Sequence, residues 1–85
     1  MDYLPVHLYR GIKKLQDVQY FLTVHYDSRD QSIIKMTRLI DVSIKRIKDL
    51  NRFPPNAQEL IDAMDPSNLL GLSLQLYNLQ AYLCT

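Results

Sequence analysis

Only one cysteine, Cys84, occurs in the 85 residues, so no internal disulfide can staple the fold. With no basic start leading into an apolar run, that scarcity makes a reducing compartment, the cytoplasm, the expected setting. Two glycines and four prolines are too few for collagen-like or low-complexity chains. The longest uncharged stretch, 66–85, carries Ser, Asn and Gln throughout, which is too polar for a membrane span. Catalytic signatures are missing as well: there is no G-x-x-x-x-G-K, G-x-G-x-x-G, H-E-x-x-H or C-x-x-C. The expectation is therefore a non-enzymatic chain with no cofactor, no metal, no small-molecule substrate and no membrane partner. A chain of this size buries only about 60 to 70 % of its unfolded surface, so residues 1–85 are read as a single domain.

The most informative absence is electrostatic, for no Lys or Arg follows Arg52. Residues 1–52 hold ten cations against six Asp, a balance of +4, while 53–85 hold only Glu59, Asp62 and Asp65, a balance of −3. Such asymmetry points to a polyanion-facing surface on one side.

Apolar residues recur at three-and-four spacing, which predicts an all-helical fold of two long helices followed by one or two short ones. Pro5 suits the first turn of a helix over 5–26, with Leu8, Ile12, Leu15, Leu22 and Tyr26 on one face. Ser28 and Gln31 have capping-box spacing and announce a second helix. Its seam is Ile33, Met36, Ile40, Ser43, Ile47 and Leu50, and Pro54 with Pro55 stops it near Arg52 or Phe53. Asn56 and Glu59 repeat the capping spacing before a short helix from Ala57 to about Met64, and Ser67 is placed to cap a fourth. In that last segment Leu69, Leu72, Leu76, Leu79 and Leu83 keep the helical step. Leu70, Leu72, Leu74 and Leu76 also alternate as in a strand, but length and Leu, Gln and Ala content favour helix.

Individual chemical candidates are weak. His7 and His25 lie about five turns apart on one helix, too far to share a metal. Asp62 and Asp65 read as a solvated helix face, and Cys84 has no neighbouring cation to activate it.

The second helix is different. Lys35, Arg38, Lys45, Arg46, Lys48 and Arg52 fall opposite its apolar seam, accompanied only by Asp41 and Asp49. Arg38, Lys45 and Arg52 repeat every seven residues, about 10 Å, and the set spans about 26 Å. Arg10, Lys13 and Lys14 place three more cations on the first helix. The alternative is an ordinary solvated face, but acids do not balance the bases there. A long basic rod suits phosphates and the wide, shallow minor groove of double-stranded RNA better than base readout by a short recognition helix. Thr37, Gln31 and Asn51 are candidate further contacts. The Leu69 to Leu83 seam either folds back on the first two helices or meets a second chain.

From Leu4 to about Met64, and most of all in "IKRIKDLNRFPPNAQELIDAM", the chain resembles the double-stranded-RNA-binding silencing suppressors of insect nodaviruses. In that segment a basic helix ends in a Pro-containing turn before a short helix. The resemblance implies two long antiparallel helices with a short third helix set across them, and a homodimer forming a four-helix bundle. It further implies sequence-independent binding along duplex RNA, suppressing host RNA silencing by shielding long duplex and sequestering small interfering RNA. By position, Lys35, Arg38, Lys45, Arg46, Lys48 and Arg52 match the family's cationic helix, with Arg10, Lys13 and Lys14 as lesser candidates. This chain departs from the family in its uncharged Leu-rich end and its low net charge. The rival reading is a protein-interaction module or regulator that docks a partner through Leu69, Leu72, Leu76, Leu79 and Leu83.

Overall fold

Each long stretch of three-and-four apolar spacing becomes a helix in the computed structural model, which describes residues 6–84. The chain folds as α1 Val6–His25, α2 Gln31–Leu50, α3 Ala57–Asp62 and α4 Leu69–Leu83, with no strand among the described residues. The alternation in the last segment is thus resolved in favour of helix. The proposed roles of Leu4 and Pro5 lie outside the described residues.

The helix boundaries follow carboxylates and amides more than hydroxyls. Asp27 accepts from the Arg29 N–H at 2.9 Å and closes a tight turn, with the Asp30 N–H donating to the Asp27 carbonyl at 3.0 Å. That turn moves the start of α2 past Ser28, and Asp30 becomes the cap, accepting from the Ser32 N–H at 2.8 Å. A carboxylate there also complements the positive end of the helix dipole. At the other end Asn51 adopts the left-handed conformation (φ 56°) and its N–H closes on the Ile47 carbonyl, so α2 stops at Leu50, before the prolines act. Asn56 precedes α3 at φ 71° and makes no side-chain cap, because a capping side chain needs an extended backbone. Ser67 donates to Asp65 at 2.6 Å, leaving Asn68 to cap α4 through the Gly71 N–H at 3.2 Å.

α1 and α2 form an antiparallel hairpin in which Gln19 donates to the Thr37 carbonyl at 3.0 Å and to Asp41 at 2.8 Å. α4 packs along the other flank of α2, and α3 bridges α4 and α1, closing a ring in the order α1, α2, α4, α3. The short helix therefore spans α1 and α4 and not the α1–α2 pair that the resemblance implies. One core fills the ring, from Leu8, Ile12, Leu15, Val18 and Leu22 of α1 through Ile33, Met36, Ile40 and Ile47 of α2 to Ile61 and Met64. Leu72, Leu76 and Leu79 are fully buried and Leu83 is 3 % exposed, completing that core from α4. The radius of gyration, 12.4 Å, is close to the ~12 Å expected of a folded monomer of this length.

This packing corrects the assignment of Leu69, Leu72, Leu76, Leu79 and Leu83 to a dimer or partner interface. The last four belong to the core, and Leu69 is half-buried against it. One chain supplies all four helices, so the apolar faces of α1 and α2 are covered without a second copy. Two further details hold the ring. Ser43, fully buried on α2, donates to the Leu39 carbonyl at 2.7 Å and accepts from Gln80 of α4. Gly11 lets the Phe53 ring seat directly on the α1 backbone, since a Cβ there would overlap the ring edge.

Candidate nucleic-acid interface

The geometry that buries Ile33, Met36, Ile40 and Ile47 turns the other side of α2 to solvent. Lys35, Arg38, Lys45, Arg46 and Lys48 are all exposed on it, together with Asp41, Val42 and Asp49. Arg52 is exposed too, but it follows the left-handed Asn51 and lies past the helix end, so the regular step from Arg38 to Lys45 is not continued by helical geometry. At 100° per residue, Arg38 and Lys45 lie near the middle of this face, Lys48 leans toward α1, and Lys35 and Arg46 lean toward α4. The result is a broad cationic face whose axis follows the helix.

What separates this face from the paired cations elsewhere is that, among the described residues, none of its cations forms an ion pair. Among the described residues every ion pair uses a cation outside α2. Arg10 meets Asp62 of α3 at 3.1 Å, Lys13 meets Asp17 at 2.9 Å, and Arg29 meets Asp27 at 3.3 Å. The Lys13 ammonium is held above its ordinary pKa by the hydrogen bond and charge of Asp17. Lys14 is half-buried on the α3 side, near enough to contribute, behind the Ser67 hydroxyl and N–H, to holding the Asp65 carboxyl below its ordinary range. Of the two α2 carboxylates, Asp41 accepts from Gln19, and Asp49 has no partner among the described residues.

The first helix therefore does not extend the cationic face. Arg10 is paired with Asp62 at the end of α3, Lys14 is half-buried, and Lys13 is occupied within α1. The sequence carried a signal for one of these pairings, since Lys13 and Asp17 stand four residues apart. Arg10 and Asp62 are separated by 52 positions, and only the closed ring brings them together. Lys35 is partly engaged as well, its ammonium 5.3 Å from the Tyr77 ring centroid. An exposed contact of that kind contributes about 0.5 to 1 kcal/mol. Thr37 is not available as proposed: it is half-buried and its hydroxyl donates to the Ile34 carbonyl at 2.9 Å. Gln31 and Asn51 remain exposed at the two ends of α2.

Other candidate chemistry recedes. Asp62 is taken by Arg10 and by the Gln58 amide at 2.8 Å, and Asp65 by Ser67. His25 stacks on Phe21 with ring centroids 4.1 Å apart. No helix of the described residues is long and apolar enough to cross a membrane. Comparison with protein-family models, with curated proteins and with solved structures finds no match to this chain.

Proposed function

We propose that this chain is a non-enzymatic RNA-binding protein that lays the outer face of α2 along double-stranded RNA without regard to sequence. By covering duplex in the cytoplasm of a host cell it suppresses RNA silencing, both by shielding long duplex and by sequestering small interfering RNA. The observation that carries this reading is the α2 face itself: Lys35, Arg38, Lys45, Arg46, Lys48 and Arg52 are exposed and, among the described residues, lack carboxylate partners, while Arg10, Lys13 and Arg29 have them.

The physical rationale is counterion release. Each phosphate neutralised by a fixed cation frees condensed ions, so binding is strong at low salt and weakens steeply as salt rises. Cations spread along α2 from Lys35 to Lys48, over about 20 Å, track a backbone and do not read base edges. Duplex RNA offers phosphates and 2′-hydroxyls across a shallow groove, a surface that a straight rod can follow. The resemblance to nodavirus silencing suppressors supplies the biological setting.

The test is a gel-shift titration with a 20-base-pair RNA duplex, DNA of the same sequence and single-stranded RNA. Duplex RNA is expected to be bound most tightly, with little change when its sequence is scrambled. Equal retardation of all three nucleic acids would reduce the α2 face to a generic polyanion attractor. A silencing-reporter assay with the Arg38→Ala, Lys45→Ala, Arg46→Ala triple variant then connects binding to suppression, and both should be lost together.

A further inference from the structure

α4 is apolar on two sides. Its inner leucines belong to the core, yet its outer side presents Leu70 at 76 % exposure, Leu74 at 60 % and Tyr77 at 47 %, followed by exposed Ala81. At 100° per residue these four lie on the part of α4 turned outward and toward α2, next to Ser73 and Gln80, which face α2. On α2, Lys35 and Arg46 are the cations that lean toward α4, and exposed Val42 lies between them. The Lys35 ammonium stands 5.3 Å from the Tyr77 ring centroid, so the charged row and the apolar row share an edge. Phosphates of a duplex RNA would engage the cations of this side and leave Leu70 and Leu74 in water.

We propose that this α2–α4 side docks on an anionic phospholipid bilayer, with Leu70, Leu74 and Tyr77 entering the headgroup layer and Lys35 and Arg46 held at the lipid phosphates. Charge selects the occupant. α4 has no charged residue, so no ion on it must be dehydrated when its leucines enter. Beside it Lys35, Arg46 and, one row further out, Arg38 and Lys45 form no ion pair among the described residues. The carboxylates on this side stand at its ends. Asp30 lines the groove beside Tyr77 and accepts from the Ser32 N–H as the α2 cap, and Asp49 lies in the last turn of α2. The cations thus outnumber the acids, and each Lys or Arg near an anionic leaflet adds to the attraction within a Debye length of about 8 Å. A neutral apolar partner would leave that charge unanswered.

The contact is peripheral. No helix of the described residues is long and apolar enough to cross a bilayer. The expectation of no membrane partner came from the lack of a spanning segment, which does not bear on helices lying in the interface plane. Apolar and aromatic side chains with Lys and Arg alongside are the composition of such interfacial surfaces. The groove between the two rows, about 460 Å³ with Met36, Leu39 and Leu69 in its walls, adds apolar surface there. The inference does not rest on the RNA reading: it shares Lys35 and Arg46 with it but turns on leucines that RNA would not engage.

The test is flotation of nucleic-acid-free protein with vesicles of phosphatidylcholine alone and of phosphatidylcholine with about 30 % phosphatidylserine. The protein should float with the anionic vesicles and remain behind when they are neutral. Replacing both leucines, Leu70→Gln with Leu74→Gln, should lower the anionic partition about 10-fold or more. Far-UV circular dichroism of this variant should match wild type, because both side chains are exposed. Val24→Gln, at an exposed apolar position of α1 across the ring from α4, should float as wild type does. No RNA is present, so the outcome is independent of the gel shift. The proposal is overturned if wild-type protein stays off anionic vesicles, floats equally with neutral ones, or floats no better than the double variant. In the first case a light-scattering mass of twice 10.0 kDa would give the face to a second copy instead.

Discussion

Helices α2 and α4 run side by side in the same sense, with Ser43 bonded to Gln80, and each gives its inner face to one shared core. Their outer faces are opposites. α2 presents cations with no carboxylate partners among the described residues, and α4 presents Leu70, Leu74 and Tyr77 with no charge at all. The inner seams determine the fold and are similar in kind. The outer faces are not required by the core, so the contrast between them is where function is read. Cations left unpaired on one helix repel each other slightly, which only an anionic partner would offset. An uncharged seam left uncovered exposes apolar surface that only another apolar surface would relieve.

The sharpest way to break this division is to attack the inner seams. Ile40→Ala on α2 and Leu76→Ala on α4 remove fully buried side chains, and each should cost about 2 to 5 kcal/mol of stability by urea denaturation. If either costs as little as an outer-face change, the two sides of these helices are not distinct in the way described.

Neutralising the outer face of α2 comes next. The Arg38→Ala, Lys45→Ala, Arg46→Ala triple should weaken duplex RNA binding by roughly two to three orders of magnitude at 0.1 M salt. It should leave the melting temperature nearly unchanged, because none of the three cations forms an ion pair or is buried. The Arg10→Ala, Lys13→Ala pair provides the contrast. Those cations already have carboxylate partners at the exposed surface, so the double variant should change RNA affinity only a few-fold and lower the melting temperature little. Equal losses of affinity from the two variants would mean that ion pairing does not decide which cations bind.

Two smaller effects test the helix ends. Asp30→Ala removes the α2 cap and should cost about 1 kcal/mol by thermal melting, whereas Ser28→Ala should cost little. Asp27 is held below its ordinary pKa of 3.8 by the Arg29 N–H first and the Arg29 guanidinium second, and Asp65 by the Ser67 hydroxyl and N–H. Because both folded-state values are lowered, the stabilisation they give is complete above the unfolded value and is lost as pH falls through the folded one. A pH series of melting curves should therefore decline below about pH 4, and Asp27→Asn with Asp65→Asn should flatten the decline.

Much of this arrangement was legible in the sequence, and the exceptions have physical causes. The positions of α1, α2 and α4 followed from apolar periodicity, and the α2 cations from their place opposite Ile33, Met36, Ile40 and Ile47. Periodicity gives a helix its inner face but does not identify what covers it. For that reason the α4 leucines were open between core and interface until α2 and α3 were seen to enclose them. The same limit hid Arg10–Asp62 and Ser43–Gln80, contacts between helices distant in sequence. Capping residues were misplaced wherever a carboxylate or amide competed with a hydroxyl, as Asp30 did with Ser28 and Asn68 with Ser67.

The central claim, that the unpaired cations of α2 bind duplex RNA through its phosphates, is most directly tested by measuring affinity for one RNA duplex against salt concentration. Wild-type protein should give a linear fall of log K with log salt, and each α2 cation removed should lower the slope by about one unit, while Arg10→Ala should leave it unchanged. An affinity that does not vary with salt, or a slope that Arg38→Ala and Lys45→Ala do not alter, would contradict the account.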